Sequence, residues 1–137
     1  MNQTPFEQSL EAAIAKENLT LSQPTNTEKG IQRTVTFENI TGIYTRIGQP
    51  DKCNESFEVF SPDKNYAKAN IHAAYNTDIE GVFGVLTMPY DPAEAVTYHH
   101  PDGIDLLCYF EYHPEGMASK AITFLKEISE MHKRGKR

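Results

Sequence analysis

Residues 98–116, Tyr98-His99-His100-Pro101-Asp102-Gly103-Ile104-Asp105-Leu106-Leu107-Cys108-Tyr109-Phe110-Glu111-Tyr112-His113-Pro114-Glu115-Gly116, contain a turn, the strongest strand of the chain and a helix start. Ala95 to His99 reads as a short strand, His100-Pro101-Asp102-Gly103 as a turn, and Ile104 to Tyr112 as the return strand of a hairpin with a four-residue loop. Successive strand residues point to opposite faces. Ile104, Leu106, Cys108, Phe110 and Tyr112 therefore share one side, and Asp105, Leu107, Tyr109, Glu111 and His113 the other. The oily side is expected on the core, and the acid-bearing side outward or in a cleft. His113-Pro114-Glu115 then opens a helix, whose stripe of Met117, Ala121, Phe124, Leu125, Ile128 and Met131 recurs at helical spacing.

The other end of the chain mirrors this helix. Thr4 is a capping residue, Pro5 fits the first helical position, and Glu7 stands three residues after Thr4 as in a capping box. Phe6, Leu10, Ala13 and Ile14 line one side, and the helix is expected to end near Glu17 or Asn18. Between the helices lie strands. Ile31, Arg33, Val35 and Phe37 alternate with Gln32, Thr34, Thr36 and Glu38. A turn or bulge is expected at Asn39–Gly42, then strands at Ile43–Ile47, Glu55–Phe60, Ala67–Tyr75 and Val82–Met88. Ser61-Pro62-Asp63-Lys64-Asn65 and Pro89-Tyr90-Asp91-Pro92 are strong turn clusters.

Short turns imply antiparallel neighbours, and two terminal helices must bury their stripes somewhere. The expected architecture is α+β: a single, mostly antiparallel sheet of about six to seven strands, with an N-terminal and a C-terminal helix packed on one face. Residues 1–137 read as one domain, with 133–137 a basic, frayed helix end.

Charge narrows the functions. The net charge is −6, yet Lys133-Arg134-Gly135-Lys136-Arg137 carries four positive charges, leaving −10 on residues 1–132. An acidic body resists nucleic acid, whose binding rests on neutralising phosphates, and suits a basic protein partner. No stretch approaches the roughly 18 to 20 apolar residues of a membrane span. The N-terminus lacks the basic start and apolar run of a secretory leader, so a cytoplasmic location is expected.

Motifs for catalysis are sparse. Cys53 and Cys108 have no C-x-x-C spacing and read as free thiols. Cys108 lies among large apolar residues, as a buried, inert thiol does. Cys53 reads as part of a polar loop between Asp51 and Glu55, where negative charge raises a thiol's pKa. His99, His100, Asp102, Asp105 and His113 lack a recognised zinc spacing, so no metal is expected. There is no glycine-rich phosphate loop and no cofactor signature.

Seven tyrosines without tryptophan suit a binding surface instead. The expected function is a non-enzymatic binding protein, of the immunity or inhibitor type that neutralises a basic toxin or nuclease. The expected surface is acidic and tyrosine-bearing: Asp105, Tyr109, Glu111, His113, Tyr98 and Asp102. The alternative is a small-ligand binder or hydrolase-like enzyme with a sheet–helix cleft, using Glu111 and Asp105 as acid and base with His113.

Overall fold

The computed structural model describes residues 3–60, 68–75, 81–87, 104–109 and 114–135. Helix α1 runs over Pro5–Lys16. Thr4 caps it as its sequence implies, with Oγ1 accepting the Glu7 amide at 3.0 Å. The Glu7 side chain, however, does not complete the expected box. It bonds two arginines of the sheet instead. Helix α2, Pro114–Gly135, closes the fold.

Among the described residues, seven strands lie between them: β1 Thr25–Thr27, β2 Gly30–Phe37, β3 Ile40–Gln49, β4 Lys52–Phe60, β5 Lys68–Tyr75, β6 Gly81–Thr87 and β7 Ile104–Tyr109. Each strand pairs antiparallel with its neighbour in sequence, in the order β1 to β7. The architecture is α+β, with five long strands, β2–β6, between a three-residue strand and a six-residue one. A short segment also shields the β2 edge. The Ser22 amide donates to the Thr34 carbonyl at 2.8 Å, and the Thr34 amide donates to Ser22 Oγ at 2.8 Å. Such pairing blunts an edge that would otherwise recruit another strand.

The helices pack on each other, and α2 lies against β2–β5. Phe6, Leu10 and Ile14 of α1 and Met117, Ala121, Phe124 and Ile128 of α2 are fully buried, facing Tyr44, Phe57 and Ile71 of the sheet. The Phe6 and Tyr44 rings meet edge to face at 5.9 Å, the arrangement their quadrupoles favour. At its far end α2 holds the β2–β3 turn. Ser129 Oγ donates to Glu38 Oε2 at 2.6 Å, and Lys133 Nζ lies 3.1 Å from the same carboxylate. Glu38 itself is left-handed, at φ 56°. No helix among the described residues is long and apolar enough to cross a membrane.

One expectation changes. The break expected at Asn39–Gly42 shrinks to Glu38-Asn39, and Gly42 pairs with Val35 and Val59 inside β3. Its glycine serves packing rather than turning, because an added Cβ would stand 2.6 Å from Phe57 Cζ and 3.0 Å from Val35 Cγ1. Next, β7 pairs with β6. Its expected hairpin partner, 95–99, and the turn at 100–103 lie outside the described residues.

Gly42→Ala is expected to cost about 1–3 kcal/mol, the usual scale of an overpacked core, read as a lower urea midpoint. An unchanged midpoint would show that the Phe57 ring is free to move aside.

Candidate functional site

Beneath the start of α1, the inner sheet face is polar where its neighbours are oily. Arg33 follows Ile31 and precedes Val35 on the inner row of β2. The ladder sets Tyr44 opposite Arg33, and Glu55 opposite Arg46. Alternation then carries Cys53 onto the same face of β4, where the structure buries it at 3% exposure. Glu7 comes down from α1 into the middle. Glu7, Arg33 and Glu55 are all buried.

The geometry is a clamp. Glu7 Oε2 accepts from Arg33 Nη1 at 2.9 Å, and its Oε1 accepts from Arg46 Nη1 at 3.1 Å. Arg33 also donates Nε to the Ser22 carbonyl at 2.7 Å and Nη2 to Glu11 Oε1 at 3.3 Å. On the other side, Tyr44 donates its hydroxyl to Glu55 Oε1 at 2.5 Å, and Thr4 Oγ1 donates to the same oxygen. Thr4 thus joins the helix cap to the sheet, accepting from the Glu7 amide while donating to Glu55.

Protonation follows from these contacts. Arg33 and then Gln3 bond the Glu11 carboxylate and hold its pKa below the ordinary 4.5. Burial works against the Arg33 cation, but bonds from Glu11 and Glu7 outweigh it and raise its pKa. Burial, then the Glu55 charge, pushes the Tyr44 phenol upward. The same two causes push the Cys53 thiol up to about 12. A thiol so far from ionisation is a poor nucleophile. This cluster holds α1 in place.

Cys53 therefore shows the expected direction of shift in a different setting, a strand interior rather than a polar loop. Of the surface residues expected from the sequence, Asp105 and Tyr109 fall within β7. Tyr98, Asp102, Glu111 and His113 lie outside the described residues. Among the described residues, no three His, Cys, Asp or Glu side chains are grouped to hold a metal ion. The clamp itself escaped sequence reasoning, although two signals pointed to it. Arg33 interrupts an apolar strand face, and Glu7 falls on the stripe of Leu10 and Ile14 at positions i, i+3 and i+7. No protein-family model, curated protein or solved structure matches this chain.

Two outcomes test this chemistry. A depressed carboxylate adds stability above its ordinary pKa and loses it as pH falls through the folded value. Thermal midpoints should therefore fall more steeply from about pH 5 to about pH 2 in the natural chain than in Glu11→Gln. The difference should stay within about 1 kcal/mol, because Glu11 is 48% exposed. In a Cys108→Ser background, Cys53 should resist a thiol reagent at neutral pH and react fully in denaturant. Rapid reaction of the folded protein would contradict its burial.

Proposed function

We propose that this chain is a non-enzymatic binding protein that engages a cationic protein partner at the β6–β7 end of its sheet. One observation carries the reading: residues 76–113 include seven carboxylates and no lysine or arginine. The described strands of that segment, β6 and β7, form the end of the sheet remote from β1. Both helices, by contrast, mix acids with bases, as in the Lys126–Glu17 pair that joins them. A one-sign run of charge attracts an oppositely charged partner. Asp105, Tyr109, Glu111, His113, Tyr98 and Asp102 all belong to this segment. Neutralisation of a basic toxin or nuclease, as immunity and inhibitor proteins perform it, fits that charge.

The second reading is a small-ligand binder or hydrolase-like enzyme with a sheet–helix cleft, using Glu111 and Asp105 as acid and base with His113.

Capture from native lysate separates the two. The first reading expects a basic protein, released by salt as the Debye length shrinks below about 8 Å, and lost to a folded Asp105→Lys, Glu111→Lys double variant. Retention by that variant would remove the acidic end as the contact surface. Turnover or binding of a small ligand, abolished by Asp105→Asn, would favour the second.

A further inference from the structure

We draw no further inference here: the strongest candidate, the groove of about 600 Å³ between α1 and α2 lined by Ala12, Ala13, Ala118, Ser119 and Ile122, is a stripe of small residues, and nothing in the structure shows what covers it.

Discussion

Glu7 is the point on which this structure turns. Its carboxylate is 1% exposed and lies between two guanidiniums, at 2.9 Å from Arg33 and 3.1 Å from Arg46. Taking three charges out of water is costly, and apolar residues of the same size often serve stability as well. What the charges add is direction. Phe6, Leu10 and Ile14 would tolerate a helix displaced along the sheet, because apolar burial has no preferred angle. Two bonds from one carboxylate to separate strands do not. They set the position of α1 over β2 and β3, and Thr4, bonded to Glu55, sets it over β4. Removing any one charge would strand its partner in the interior.

With α1 fixed, the rest of the layer follows. α2 packs beside α1 and lies over β2–β5, and its C-terminal half holds the β2–β3 turn through Glu38. The clamp thus ties α1 to β2, β3 and β4, while α2 spans β2–β5. The polar groups deepest in the molecule are engaged in shape: Cys53 and Tyr44 have their pKa values pushed away from neutrality, the opposite of what a nucleophile or base requires.

Much of this was legible where the signal is local. Thr4-Pro5 announces the start of α1, the alternation of Ile31 to Phe37 announces β2, and the stripe from Met117 to Ile128 announces α2. These patterns depend on neighbours within one or two turns. What failed depends on distant ones. Gly42 reads as a turn because glycine marks turns, yet its reason is the ring of Phe57 on the next strand. The clamp lay between these cases. Arg33 and Glu7 each sit visibly in an apolar row, but nothing in their spacing pairs residues 26 positions apart.

A double-mutant cycle on Glu7→Gln and Arg33→Gln, measured by urea unfolding, tests the clamp most directly. Each single variant should be strongly destabilised, and the pair should recover a coupling energy of about 1–3 kcal/mol, the range for contacting charges in one network. Losses that simply add, with coupling within about 0.3 kcal/mol of zero, would mean that the carboxylate and guanidinium do not act together and that α1 is held by its apolar stripe alone.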